Sequence, residues 1–405
     1  LFYRNPGHAP YTPGYLPANH TFEEPTSALI AGLRVELMPA PSDATDSVTL
    51  WFPELGVCVN NLVWPALFNI FAIRGEEYRD PRILLRGLDQ ILALEPEHLV
   101  GTHGPPLSGR ARIRAEVTRY RDSIQFIWDQ TVRGANRGMT ADQIAATLRL
   151  PEQFSDSYMT RPLYGVVEHH VRQICAGLFG WFDEDVTRLF PLPPTERADR
   201  LVDGFGGVEA VREQIDSAIA KDDWRWALEL SGWLTQHRDD GGQEQDRGRL
   251  AKALRGIAYS TPSANIRNWC LTRALEADGS SDLSRFRTHR FRVNEVAAGA
   301  PELFVPLLRV QLDPERATNV EGSVAFAFDT GTRAGLTIRN CVAVPNDGTD
   351  ADVTLQISHS EWSQLLGGKT TLRALLQAGT SVDGDPGLLE QLLGCFDLDA
   401  LRHRS

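Results

Sequence analysis

The sequence predicts a multidomain chain: an α/β layered domain, then an all-α domain, then an α+β domain. Three observations predict that order. Short period-two runs alternate with a helix between residues 33 and 103. Apolar residues then recur at helical spacing from Arg110 to about residue 278. From residue 323 strict alternation returns, and helical runs follow it.

In the first region, LRVELMP (33–39) and VTLWFP (48–53) alternate apolar and polar residues and end at Pro, and GVCVNN (56–61) is a third short strand. Asp80–Pro81 is a helix start, with Asp as N-cap and Pro in the first turn. Ile83, Leu84, Leu88, Ile91 and Leu92 form the apolar face of that helix, and Glu95–Pro96 ends it. HLV (98–100) is the next strand and delivers His103 into the rigid loop GTHGPP. A histidine at a strand end is either a metal ligand or a turn residue facing water.

In the second region, Ile113, Val117, Tyr120, Ile124, Ile127 and Trp128 mark one face of a long helix, broken at Gly134 and Gly138. Thr140-Ala-Asp-Gln143 is a capping box, and Pro151 stops the helix it opens. Further helices are expected to residue 278, with breaks at PLPP (191–194), Gly206–Gly207 and the polar run 238–246. DDWRWALELSGWL (222–234) and RLAKALRGIAY (249–259) read as a helical pair with three packing tryptophans.

The third region opens with a helical stretch, AAGAPELFVPLLRVQL. The strands SVAFAFD (323–329), GLTIRN (335–340) and DVTLQIS (352–358) follow, punctuated by Gly, Asp and Asn. Helices come next: EWSQLLGG capped by Ser360, TTLRALLQAG, and PGLLEQLLGCF. The pattern predicts helices on one face of an antiparallel sheet, with either an apolar-ligand cavity or a closed core between them.

Bulk composition narrows function only by exclusion. The 405 residues are 42% hydrophobic, which is enough for more than one core, and no apolar run is long enough to span a bilayer. The net charge of −12 argues against nucleic acid as a partner. Basic residues are almost all Arg, with Lys only at positions 221, 252 and 369. Cys58, Cys175, Cys270, Cys341 and Cys395 are scattered without a CxxC pair and read as reduced core residues. The first twenty residues read as a Pro- and Gly-rich loop with no signal-peptide core. Position 1 is Leu and the first Met is Met38, so further sequence is expected upstream, and export is left open.

Several stretches together resemble the alkylsulfatase branch of the metallo-β-lactamase-fold hydrolases. FNIFAIRGEEYRDP (68–81) is similar to that family's Asn–Leu–x–x–Leu–Arg–Gly–x–x–x–Arg–Asp stretch. IQFIWDQTVRGANRGMTADQIA (124–145) resembles its helix and Thr capping segment. RPLYGVVEHHVRQICAGLFGWFDED (161–185) and PLPPTERADRLVDGFGG (191–207) resemble its helical dimerisation domain. The last 120 or so residues look like its sterol-carrier-protein-like domain.

The resemblance implies a partial metallo-β-lactamase-like αββα domain over residues 1–110, an all-α dimerisation domain over 111–278 and a sterol-carrier-protein-like α+β domain over 279–405. It implies zinc-dependent hydrolysis of alkyl sulfate esters by a homodimer, with two zinc ions per chain in the family and an apolar groove for the alkyl tail. The family's His-x-His-x-Asp-His run does not occur in these residues. The second half of the metal site falls on Asp43, Asn61 and His103. Asn61 departs from the family's Glu, which leaves one zinc, or none, as alternatives here. Arg74 and His169 fall on the sulfate-contacting positions, and Tyr164 sits about one helical turn before His169, so that both could face one site; the three would serve substrate binding and catalysis. Against these stand plainer readings: a surface ion pair from Arg74 to Glu77, and helix packing for His169. A dimeric scaffold or apolar-ligand-binding protein without catalysis is the alternative function, as is a relative cleaving another ester.

Overall fold

The computed structural model describes residues 18–70, 73, 78–182, 184–237, 242–283 and 291–397. They form two units, 18–281 and 282–397.

The first unit begins with a sheet. Its strands are β1 (Thr26–Ile30), β2 (Leu33–Pro39), β3 (Val48–Phe52), β4 (Val57–Asn60), β5 (His98–Gly101) and β6 (Leu107–Ser108), hydrogen-bonded in sequence order. All neighbours are antiparallel except β4 and β5, whose parallel register sets Asn60 beside Gly101. A parallel pair needs a crossover. Helix α1 (Pro81–Leu94) supplies it, capped by the Asp80 side chain and ended by Glu95 in the left-handed region, as its sequence signals predict. Strands β1 and β6 carry no alternation signal, because β1 is an exposed edge and β6 is two residues long.

Helix α2 (Arg110–Ala135) buries Ile113, Val117, Tyr120, Ile124 and Ile127 in the same core as α1 and the strand residues Cys58 and Leu99. Gly134 lies inside this helix, where a Cβ would come within 2.8 Å of Ile144 Cγ1, so the residue marks close packing and does not break the helix. Helix α3 (Ala141–Thr147) carries the expected Thr140 capping box. After two 3-10 turns come α4 (Val167–Phe179), α5 (Pro194–Gly204), α6 (Val208–Ala220), α7 (Trp224–Gln236), α8 (Glu244–Ser260) and α9 (Ala264–Ala277). Trp226, Trp233 and Phe205 make an edge-on aromatic cluster, which fulfils the packing role expected of the tryptophans. No helix among the described residues is long and apolar enough to cross a membrane.

The second unit holds α10 (Val293–Ala298) and then two 3-10 turns, 301–304 and 306–311, where the sequence suggested one helical stretch. Pro301 and Pro306 start those turns and prevent a continuous helix. The strands are β7 (Gly322–Phe328), β8 (Arg333–Arg339), β9 (Val342–Asn346) and β10 (Val353–Ile357). Helices α11 (His359–Leu366) and α12 (Leu372–Gln377) lead to β11 (Ser381–Asp383) and α13 (Pro386–Gly394).

The sheet order is β11-β10-β7-β8-β9, and β10 runs parallel to β7, so the sheet is mixed and not purely antiparallel. Val324, Ala325 and Phe326 are successive and all buried, as a central strand covered on both faces requires. Ser358, not Ser360, caps α11, in a capping box with Glu361. Phe326 packs at 4.8 Å from Trp362, ring centre to ring centre, inside a core shared by strands and helices. That packing favours the closed-core reading of this unit.

Candidate functional site

The parallel pair β4–β5 opens at its carboxyl end into two loops, and the loop between β2 and β3 reaches the same end, because Pro39 pairs with Val48. Strand ends of this kind gather functional side chains from distant parts of the sequence. Asn60 holds the corner together. Its Oδ1 accepts from the Leu62 and Val63 amides at 2.9 and 2.8 Å, and its Nδ2 donates to the Val100 carbonyl at 3.2 Å.

Three candidate residues meet here as two groups. Asn61 follows β4; its amide nitrogen donates to the Asp43 carboxylate, and its oxygen accepts from the Thr102 hydroxyl. His103, next to Thr102, is exposed, and its ring lies 4.3 Å from the Trp64 ring centre. Trp64 is buried and donates through Nε1 to the Asn61 carbonyl at 3.1 Å. The Tyr164 ring lies 5.7 Å from the Trp64 ring, centre to centre. His103 and Tyr164 thus both pack against Trp64. A small cavity of about 20 Å³ lies beneath it, lined in part by His103, Trp64, Tyr158 and Met159.

The Tyr164 loop is fixed from both sides. The Leu67 amide donates to the Arg161 carbonyl at 3.0 Å. Ser263 Oγ donates to the Tyr164 carbonyl at 2.7 Å. Helix α4 begins only at Val167, so Tyr164 and His169 do not share a helical face; the intervening Gly165 and Val166 are extended or turn residues. His169 is half-buried on α4. Burial lowers its pKa first; the Arg225 charge lowers it further and Glu168 opposes. His169 is therefore a neutral imidazole at physiological pH, able to donate one hydrogen bond and accept another.

His170 is fully buried, and neither ring nitrogen has a hydrogen-bond partner. Desolvation, with smaller contributions from His169 and Arg79, pushes its pKa down to about 3. Gly165 packs against it so closely that a Cβ there would lie 2.5 Å from His170 Nε2. Arg74 falls outside the described residues.

Asp43, Asn61 and His103 do not offer the donor set of a two-metal site. Asn61 turns a hydrogen-bearing nitrogen, not a lone pair, towards Asp43. Among the described residues no group of three or more His, Cys, Asp or Glu side chains converges to hold a metal. Trp64, Thr102 and His170 escape a sequence reading. Trp64 sits in an aperiodic apolar run, and His170 differs from its neighbour His169 only in which way the helix turns it. The five cysteines are all free thiols, three of them buried, as their apolar surroundings suggest.

Comparison with known proteins shows what the chain is similar to. The "alkyl sulfatase dimerisation" family model matches residues 140–279, and the "alkyl sulfatase C-terminal" model matches residues 294–401. A linear primary-alkylsulfatase from Pseudomonas sp. is 33% identical over 399 residues, covering 95% of this chain and 75% of the relative. The alkyl/aryl-sulfatase BDS1 of Saccharomyces cerevisiae is 29% identical over 388 residues, covering 93% of this chain and 59% of the relative. Among solved structures, the stereoselective inverting sec-alkylsulfatase Pisa1 from Pseudomonas sp. matches with a TM-score of 0.81 and 26% identity, covering 93% of this chain and 60% of that one. The chain thus spans about three fifths of the length of the last two relatives. With a third of its residues shared over nearly its whole length, this chain belongs to the alkylsulfatase family.

Proposed function

We propose that the chain serves the hydrolysis of alkyl sulfate esters, with the carboxyl end of the β4–β5 pair as its site. The observation that carries the reading is Trp64, against which both His103 and Tyr164 pack at that end. The relatives are named as alkylsulfatases, which supplies the substrate class.

In this reading the sulfate lies against His169 and Tyr164. A neutral imidazole and a phenol both donate hydrogen bonds to sulfate oxygens without the cost of burying a second charge. Arg74 is the planar cation that would pair with the sulfate, a role resting on the resemblance. The exposed side chains of Tyr158 and Leu163 offer apolar surface nearby for the start of the tail. By itself the C-terminal unit exposes Leu303, Leu307, Val310 and Val342, an apolar surface that supports a sterol-carrier-like role for that unit. The three-way division at residues 110 and 278 is likewise a proposal, since α2 shares the core of the sheet that precedes it.

The helical part is proposed to form the homodimer. Phe179, Trp181, Val186 and Phe190 are all exposed at the end of α4 and just beyond it, Phe190 at 93%. Large apolar side chains this exposed mark an association surface. Zinc rests on the resemblance alone, and Asn61 and Asp43, at two of the positions that would hold it, are hydrogen-bonded to each other. That same bond favours the second reading, a dimeric binding protein that recognises alkyl sulfates without cleaving them.

The test is sulfate release from octyl sulfate, followed by ion chromatography, with zinc content measured on the same sample. Release that His169→Ala abolishes supports hydrolysis. Binding of octyl sulfate with no release selects the second reading.

A further inference from the structure

The hydrogen bonds around Asn61 join five side chains. Its Nδ2 donates to the Asp43 carboxylate, and its second hydrogen is shared between Ser42 Oγ at 3.1 Å and Ser47 Oγ at 3.2 Å. Ser42 Oγ, on a buried residue, lies 2.9 Å from Ser47 Oγ and 3.2 Å from Asp43 Oδ1. The Asn61 oxygen takes the Thr102 hydroxyl. The backbone repeats the closure: Ala40 N donates to Ser47 O at 2.8 Å, and Thr102 N to Asn60 O at 3.0 Å.

This arrangement has a chemical consequence. A cation bound at about 2.0–2.2 Å to Asp43 Oδ1, on the side that faces Asn61, would occupy the space that the amide hydrogens fill. An amide nitrogen has no free lone pair with which to replace that contact. A neutral amide, by contrast, satisfies a carboxylate without bringing a second negative charge, whereas two carboxylates facing each other would need a cation or a shared proton between them.

We infer that Asp43, Asn61 and Thr102, with Ser42 and Ser47, form a metal-independent clamp that fastens the loop 40–47 to the ends of β4 and β5, in the place of one metal position of the family. The inference rests on the family reading only for the phrase "metal position"; the clamp stands on its hydrogen bonds.

Thermal unfolding of the full chain, in EDTA and in excess Zn²⁺, tests it. The clamp predicts that any difference between the two for the wild type is left unchanged by Asp43→Asn. Asn61→Ala is expected to lower the melting temperature by about 3–6 °C, equally with and without Zn²⁺. Asn61→Glu sets two carboxylates together and is expected to melt lower in EDTA and to recover with Zn²⁺; Asn61→Asp does the same duty if the Glu variant does not fold. A Zn²⁺ stabilisation of the wild type that Asp43→Asn abolishes makes Asp43 a ligand and overturns the clamp. A Zn²⁺ shift that survives Asp43→Asn belongs to other ligands and supports it. Sulfate release from octyl sulfate is read on the same samples. Zinc binding through Asp43 sinks the clamp whatever the release, and absent release sinks the hydrolase reading whatever the melting shift.

Discussion

The His103 ring lies 4.3 Å from the Trp64 ring, centre to centre, at a tilt of 45°. An exposed loop histidine gains a fixed orientation from this contact, because the buried indole cannot move aside. Trp64→Ala should cost about 3–5 kcal/mol of stability, the usual penalty for a large aromatic lost from a core. Trp64→Phe keeps a ring in place and should cost less. Urea unfolding measures both. His103 proton shifts by NMR should lose their ring-current displacement in the Ala variant and keep part of it in the Phe variant. Unchanged shifts in both would mean that Trp64 does not orient His103.

His170 gives the fold a dependence on acid. Its folded pKa is about 3 against 6.5 for a free histidine. Between those values the unfolded chain binds the proton and the folded chain does not. This group's stability is therefore fully present above pH 6.5 and falls as pH drops towards 3, with a limiting slope of about 1.4 kcal/mol per pH unit. His170→Leu should flatten that part of the stability–pH curve, measured by denaturant unfolding at several pH values. A slope that persists in the variant would assign the effect elsewhere.

Gly256 on α8 packs against the Trp224 indole, and a Cβ there would sit 2.1 Å from Trp224 Cδ2. Alanine gains about 1 kcal/mol in helix propensity. Overpacking costs about 1–3 kcal/mol, and the ring of a tryptophan gives way less easily than the end of a flexible chain. Gly256→Ala should therefore destabilise on balance. A higher melting temperature would show that α7 and α8 yield.

The dimer proposal has its own test. Trp181→Glu together with Phe190→Glu should convert a dimer into a monomer by light scattering while leaving the circular dichroism spectrum unchanged. A dimer that persists would place the interface on another surface.

Local rules made much of the fold legible. The Asp80–Pro81 start, the Thr140 capping box and the apolar face of α2 each follow from side chains that act within one or two turns. What escaped depended on distant partners. The parallel pairing of β10 with β7 is decided by which strand lies between its neighbours, not by the sequence of either. Strand β9 hides behind Pro345, tolerated there because the strand is at the sheet edge. The cap of α11 shifted from Ser360 to Ser358 because only Ser358 stands three residues before Glu361.

The candidate site divides in the same way. His103 at a strand end was legible as a position of interest. Its neighbour Trp64, thirty-nine residues earlier, and the bond that takes Asn61 to Asp43 are tertiary facts.

The most direct measurement is a calorimetric titration of octyl sulfate and of octanol into the wild-type chain and into His169→Ala. The account predicts that the wild type prefers octyl sulfate to octanol and that His169→Ala loses most of that preference while still binding the apolar tail. Equal affinity of the wild type for both compounds, or a preference untouched by His169→Ala, would contradict sulfate recognition at this site.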